Sequence, residues 1–307
     1  MEVLVTGGAG FIGSHLIRLL VDKGVQCTVV DNLCTGSIEN LLPEVSFYKM
    51  DINSPELNMV FEQHHFDAVV HLAGQILVSA SIDNPLHDLE VNIDGSVKLM
   101  NFAKRYGVDR VIFSSTAAAY GNVKENDLPL KEDHVLNPSS FYGLSKVTVE
   151  KYLDLYHKFY GLNYIVFRFA NVYGERQGDN GEGGVISIFA KRIAEGKNIT
   201  IFGDGQQTRD FIYAGDIAKG IYKALLTNHV NRTYNLSSQT ETSLLDLVRL
   251  FSLISGKPIK PNFTPFRDGD IYRSVLCNEI AKKNLGWAAE MTLKDGLSKT
   301  YEYFKNR

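Results

Sequence analysis

The sequence predicts an α/β chain, a doubly wound parallel sheet followed by a smaller C-terminal lobe. Two observations carry that expectation. Short runs of β-branched and aromatic residues recur through the first half, with amphipathic stretches of helical spacing between them. After about Phe169 the alternation lapses, and Gly, Asn and Gln become frequent through 171–184.

Val3-Leu4-Val5 opens the series in a strand spanning 2–6. Thr28-Val29-Val30, Ala68-Val69-Val70, Val111-Ile112-Phe113 and Ile165-Val166-Phe167 continue it. Runs this short and this apolar suit strands covered on both faces. Stretch 11–23 repeats Phe11, His15 and Leu19 on one helical face, with Ile12, Leu16 and Leu20 beside it. Stretch 88–106 repeats Leu89, Ile93, Val97 and Met100 and reads as one helix. Strand alternating with helix implies right-handed crossovers in a parallel sheet. Further on, Pro258, Pro261 and Pro265 punctuate an extended stretch, and 185–195, 244–255 and 293–304 read as helices.

Composition excludes several roles. Thirty-two basic against 35 acidic residues give a net charge of −3, so no basic excess exists to cover a phosphate backbone. Cys27, Cys34 and Cys277 are far apart and in no metal-ligand spacing, which fits reduced thiols and no metal. The N-terminus enters a strand directly, without the pattern of a secretory signal. No run of about 18 apolar residues occurs, so no membrane span is expected. Cytoplasm is the expected compartment.

The strongest local motif is Thr6-Gly7-Gly8-Ala9-Gly10-Phe11-Ile12-Gly13, between a strand and a helix. Glycines there permit a tight turn and bring backbone N–H groups to a pyrophosphate at a helix N-terminus. Gly7, Gly10, Phe11, Ile12 and Gly13 are therefore candidate dinucleotide contacts in a Rossmann-type unit. The next strand ends in Asp31, where a carboxylate accepts from both ribose hydroxyls and repels a 2′-phosphate. No Arg or Lys follows in Asn32-Leu33-Cys34-Thr35, so NAD is favoured over NADP. Asp51-Ile52 either holds the adenine edge or is an ordinary turn.

Tyr142 and Lys146 are four residues apart, hence on one helical face. A tyrosine with a pKa near ~10 is a poor base at neutral pH, and a nearby ammonium together with an oxidised nicotinamide favours the phenolate. The lysine can also hold the nicotinamide ribose. Upstream, Ser114-Ser115-Thr116 ends a strand, where ligands sit in a doubly wound sheet. Thr116 can exchange a hydrogen bond with a sugar hydroxyl next to Tyr142.

Together, Thr6 to Gly13, Asp31, Asp51-Ile52, His71-Leu72-Ala73, Ser114 to Thr116, Tyr142 with Lys146 and Arg168-Phe169-Ala170-Asn171 resemble the extended short-chain dehydrogenase/reductases. Within them the chain is similar to the nucleotide-sugar 4-epimerases, nearly end to end. Gly203-Asp-Gly-Gln-Gln-Thr-Arg209-Asp210-Phe211 and Arg267-Asp268-Gly269-Asp270 match as well. The resemblance implies Tyr142 as the acid/base, Lys146 as its electrostatic partner, Thr116 as a hydroxyl relay and Asn92 as a support of the active-site helix. It adds Asn32, Leu72 and Ala73 to the cofactor contacts. It gives Asn171, Arg209, Arg267, Asp270 and Ser274 to the substrate, with the arginines on the diphosphate. On residue type alone, Arg209 and Arg267 also suit surface salt bridges. Residues 1–170, rejoined by 210–238, would hold NAD. Residues 171–209 and 239–307 would form the nucleotide-sugar lobe. A homodimer through helices 88–106 and 141–161 is implied too.

Two positions depart from the family pattern. Gly74 stands where a second alanine often follows His-Leu-Ala, and Ser79 where a basic residue often lies near the sugar. Family members part company after the 4-keto sugar forms. Dehydratases carry Asp-Glu after the active-site threonine and decarboxylases a Glu nearby; here Thr116 is followed by Ala117-Ala118-Ala119. Alanine transfers no proton, which favours 4-epimerisation of a UDP-sugar over elimination. Ser274 falls where the family places a residue near the sugar C2 substituent. A small residue there implies room for UDP-GlcNAc and UDP-GalNAc beside UDP-Glc and UDP-Gal. A one-way sugar dehydrogenase or reductase, and a non-catalytic NAD-binding protein, are the alternatives.

Overall fold

A computed structural model of the chain describes residues 1–178, 184–266 and 271–307. The N-terminal part runs β1 (Glu2–Thr6), α1 (Phe11–Asp22), β2 (Gln26–Asp31), β3 (Ser46–Lys49), α2 (Leu57–Gln63), β4 (Ala68–His71), α3 (Val78–Asp83), α4 (Pro85–Leu89), α5 (Gly95–Arg105), β5 (Arg110–Thr116), α6 (Phe141–Tyr160) and β6 (Asn163–Phe169). It continues through β7 (Asn171–Tyr173), α7 (Val185–Ala194), β8 (Thr200–Phe202), β9 (Thr208–Tyr213), α8 (Ala214–Leu226), β10 (Arg232–Leu236), β11 (Glu241–Ser243), α9 (Leu244–Ser255), β12 (Asn262–Thr264), α10 (Glu279–Leu285) and α11 (Leu293–Lys305).

Seven strands pair in the order β3-β2-β1-β4-β5-β6-β10, every pair parallel. The apolar runs are buried on both faces, as their composition requires. Val3, Val5, Val29, Val70, Ile112, Ile165 and Phe167 share one core with Leu16, Ile17 and Ile221 of α1 and α8. Leu4, Val30, Val69, Val111, Phe113 and Val166 face the opposite core, with Val60, Leu99 and Leu153 of α2, α5 and α6. Successive strand residues alternate between the two cores because the side-chain period of a strand is two. Each such side chain contributes about 1.5–3 kcal/mol over leaving it exposed.

β10 adds the seventh strand beside β6, and α8 packs on α1. The C-terminal lobe carries more strand than its sequence predicts. β7 and β11 flank β9, and β8 pairs with β12. Strands of three residues show too few alternations to stand out. This lobe has its own core of Phe189, Ile201, Phe211, Leu247, Phe251 and Tyr301. Among the described residues no helix is long and apolar enough to cross a membrane.

Stretch 88–106 is not one regular helix. Glu90–Asp94 forms a π-helical turn between α4 and α5. Such turns widen the helix by a residue and re-aim side chains at functional sites.

Candidate active site

β1 pairs with β2 on one side and β4 on the other, so connections leave it in opposite directions and open a crevice at its carboxyl end. The turn into α1 lines this crevice. Gly7 has φ +73° and donates from N to Val30 O at 2.9 Å. A Cβ on Gly7 would lie 2.6 Å from Ala73 N, and one on Gly13 2.2 Å from Gly7 O. Neither site accepts a larger residue, so the turn stays tight against α1 and β4. Gly10 caps α1 without a side-chain bond, and the first turn has no acidic residue. The N–H groups of this first turn therefore suit an anion.

Asp31 ends β2 buried, accepting from Ala9 N at 3.0 Å and Leu33 N at 2.8 Å. Burial raises its carboxyl pKa, against those two bonds. Asn32 donates to Asp51 Oδ2 at 2.7 Å, and Asn53 N to Asp51 Oδ1 at 2.8 Å. Asp51 thus joins the loops after β2 and β3, while Ile52 is buried. Leu72 N donates to Thr6 O at 3.0 Å and Ala73 N to Thr6 Oγ1 at 3.4 Å, closing the crevice floor. A glycine cradle with no Cβ, an uncapped helix start and a carboxylate at the end of β2 fit a dinucleotide.

Across the crevice, α6 begins at Ser140, whose hydroxyl accepts from Gly143 N at 3.1 Å. A Cβ on Gly143 would lie 2.8 Å from Ala118 O, so glycine lets the helix start press on the turn after β5. That approach brings Tyr142 into one cavity wall with Thr116, whose hydroxyl lowers the phenol pKa and accepts from Ala118 N at 3.1 Å. Lys146 Nζ donates to Ser114 O at 3.0 Å and lies 5.9 Å from the Tyr142 ring centroid. Burial lowers its pKa to about 8, with Asp88 acting upward. The phenol is raised by burial; the Thr116 bond lowers it and Asp88 raises it. The sequence pointed to the ammonium, together with an oxidised nicotinamide, as what favours the phenolate. In the structure the Thr116 hydroxyl also acts downward on the phenol, while Lys146 Nζ rests on Ser114 O.

Asn92 sits buried in the π turn. Its Oδ1 accepts from Gln75 N at 2.9 Å. Its Nδ2 donates to Gln75 O at 2.9 Å, Asp88 Oδ1 at 3.0 Å and Ser145 Oγ at 3.2 Å. It therefore ties the segment after β4 to α4 and α6. The glycine at Gly74 follows from this packing, since a Cβ there would lie 2.8 Å from Asn92 Oδ1 and 3.4 Å from Lys146 Nζ. His71 bonds Thr6 Oγ1 at 2.7 Å and Ser96 Oγ at 2.8 Å. Burial, then Lys146, pushes it down to about 3, so it is neutral at pH 7.

Beyond Tyr142 a cavity of about 340 Å³ runs between the sheet end and the C-terminal lobe. Thr116, Tyr142, Asn171, Arg209 and Ser274 all line it, with Ala117 and Ala118 in the wall. Arg209 Nη1 donates to Thr208 O at 2.9 Å and Tyr272 O at 3.4 Å. Arg267 and Asp270 lie outside the described residues. Sequence reasoning missed Gln75, Asp88 and Arg273. Arg273 lines the cavity and pairs with Glu241 at 2.6 Å and Glu125 at 3.5 Å. Asp88 had a signal, since it stands four residues before Asn92. Arg273 had none, because its partners are distant in sequence.

The model of the NAD dependent epimerase/dehydratase family matches residues 3–237. The chain belongs to that family. A putative UDP-glucose 4-epimerase of Methanocaldococcus jannaschii is 39% identical over 306 residues, covering 99% of this chain and 98% of that protein. The crystal structure of UDP-glucose 4-epimerase from Thermotoga maritima with UDP-glucose superposes with a TM-score of 0.96 at 40% identity, covering 100% of this chain and 99% of that one. UDP-N-acetylglucosamine 4-epimerase from Methanobrevibacter ruminantium, in complex with UDP-N-acetylmuramic acid, superposes with a TM-score of 0.93 at 33% identity over 99% of this chain and 97% of that one.

Proposed function

We propose that this family member interconverts a UDP-sugar and its 4-epimer, acting on UDP-Glc/UDP-Gal and on UDP-GlcNAc/UDP-GalNAc. The observation that carries this is the pairing of Thr116 with Tyr142 in a cavity whose wall continues as Ala117 and Ala118. The pair would serve as the proton shuttle, and neither alanine can assist elimination.

Residues 1–170 with 210–238 would hold NAD. Gly7, Gly10, Phe11, Ile12 and Gly13 would receive its pyrophosphate, Asp31 and Asn32 its ribose, Asp51 and Ile52 its adenine side, and Leu72, Ala73 and Lys146 its nicotinamide half. The chemistry the bound group supplies is reversible hydride exchange with sugar carbon 4. Tyr142 Oη takes the proton of the 4-hydroxyl and returns one after the sugar has turned. The Thr116 hydroxyl steadies the phenolate and orients the sugar oxygen. The Lys146 ammonium lies near enough to favour that phenolate once the site is closed to water. Residues 171–209 and 239–307 would seat the nucleotide sugar, with Asn171, Arg209 and Arg267 for the nucleotide diphosphate, Ser274 for the sugar, and Asp270 as a further substrate contact.

Exposed Leu144, Leu155 and Phe159 on α6, with Leu86 and Leu89 of α4, support a homodimer through this side of the molecule. On the stretch 88–106 the exposed large apolar surface is Leu89 alone, so α6 would carry most of such an interface. Cys27, Cys34 and Cys277 are free thiols, consistent with a cytoplasmic enzyme.

The test is incubation with each UDP-sugar and no added cofactor. Epimer formation supports the proposal. Turnover only with stoichiometric NAD would make the protein a dehydrogenase, and no turnover of any UDP-sugar would reject the assignment.

A further inference from the structure

Three consecutive residues at the end of β5 are tied to one face of α6. Ser114 O accepts from Lys146 Nζ at 3.0 Å. Ser115 Oγ donates to Glu150 Oε1 at 2.5 Å. Thr116 and Tyr142 line one cavity, and the Thr116 hydroxyl acts downward on the phenol. Positions 142, 146 and 150 are four apart, so the three pairings fall on successive turns.

The Glu150 end is anchored most firmly. Arg168 of β6 grips that carboxylate with Nε at 3.1 Å and Nη2 at 2.6 Å. Arg168 Nη1 donates to Tyr120 Oη at 3.0 Å and to Glu132 O at 2.9 Å, and Tyr120 Oη donates to Asn235 Oδ1 at 2.7 Å. Glu150, Arg168, Tyr120 and Asn235 are all buried. A buried ion pair rarely adds stability over an apolar pair of similar size, because desolvation offsets the attraction. What this pair supplies, and an apolar pair would not, is a fixed and directional acceptor for the Ser115 hydroxyl.

We propose that Ser115 and Glu150, fixed by Arg168, are positioning residues that set the Thr116 hydroxyl on the Tyr142 phenol, an inference that rests on the epimerase reading of that pair. Thr116 is the last residue of β5, directly after Ser115. Holding Ser115 against Glu150 therefore fixes the backbone from which the Thr116 side chain leaves the strand. Neither Ser115 nor Glu150 lines the substrate cavity, so each acts through its neighbour.

The experiment is a double-mutant cycle on the full chain with UDP-glucose and UDP-galactose. Ser115→Ala should lower kcat about tenfold and leave KM within about twofold. In a Thr116→Ala background the same change should cost less than about twofold, because the hydroxyl it positions is gone. Ser115→Thr, which restores a hydroxyl, should recover most of the turnover. Equal losses in both backgrounds, or none in either, would overturn the proposal.

A second readout needs no turnover. Tyrosine labelled with ¹³C at the phenol carbon, with Tyr142 assigned from Tyr142→Phe, reports the titration of that phenol. Lys146 of α6 and Asp88 of α4 are the charged groups about it, and neither is altered. Ser115→Ala should move the midpoint upward, as should Thr116→Ala, since the first misplaces and the second removes the hydroxyl that lowers it. An unmoved midpoint in Ser115→Ala would overturn the proposal. If the unsubstituted protein turned over no UDP-sugar, the epimerase reading would fail, and this titration would still decide the positioning claim.

Discussion

Thr116 at the end of β5 and Tyr142 in the first turn of α6 line one cavity, 26 positions apart in the chain. Burial raises the phenol pKa, and the Thr116 hydroxyl acts to lower it. In the proposed reaction, proton transfer at the sugar 4-hydroxyl would depend on both groups.

Tyr142→Phe deletes only the phenolic oxygen. We expect kcat to fall by about 10²–10⁴, the range that general acid–base catalysis contributes, with fold and NAD binding retained. Thr116→Ala should cost less, roughly tenfold, because water can replace one hydroxyl. Steady-state kinetics with UDP-galactose reads both. More than about a tenth of the activity remaining in Tyr142→Phe would remove that residue from the acid/base role.

Asp31 is the carboxylate that faces the cofactor ribose in the proposed complex. Asp31→Ala removes the acceptor for the ribose hydroxyls and the repulsion of a 2′-phosphate. The preference for NAD over NADP should narrow about tenfold or more. Fluorescence titration of stripped protein with each dinucleotide measures it. Equal binding of NAD and NADP by the unsubstituted protein would defeat the assignment.

Ser274 lines the cavity beside Arg209. Ser274→Tyr fills space that an acetamido group would need. Activity on UDP-GlcNAc and UDP-GalNAc should drop at least about tenfold more than activity on UDP-Glc and UDP-Gal, since a clash rejects more strongly than an unfilled pocket. Equal losses on both pairs would show that Ser274 does not gate the sugar.

His71 is pushed down to about 3 and His15 to about 4, both chiefly by burial. Their folded values lie below the unfolded value of about 6.5, so the unfolded chain binds more protons in between. Their contribution is complete above about pH 6.5 and is lost as pH falls through the folded values, by up to about 1.4 kcal/mol per pH unit for each histidine. Urea melts across that window should show the decline, and His71→Gln should flatten it. Stability independent of pH there would mean that the histidines are not buried neutral.

The sheet and its first crevice were legible in the sequence because their signals are local. Five apolar runs announce buried strands, the turn 6–13 needs glycine where a Cβ would strike Ala73 N or Gly7 O, and the spacing of Tyr142 and Lys146 places them on one helical face. Each of these follows from periodicity or backbone sterics within a few residues. The substrate side was less legible. Neither the pairing of Arg273 with Glu241 and Glu125 nor the π turn that aims Asn92 at Ser145 leaves a periodic trace. Tertiary structure also decided which partners these side chains meet: packing places the Lys146 ammonium on Ser114 O and brings Thr116 and Tyr142 into one cavity wall. Spacing fixes which residues share a helical face. Which of them meets which partner depends on how closely α6 approaches β5, and only the packing of the folded chain sets that distance.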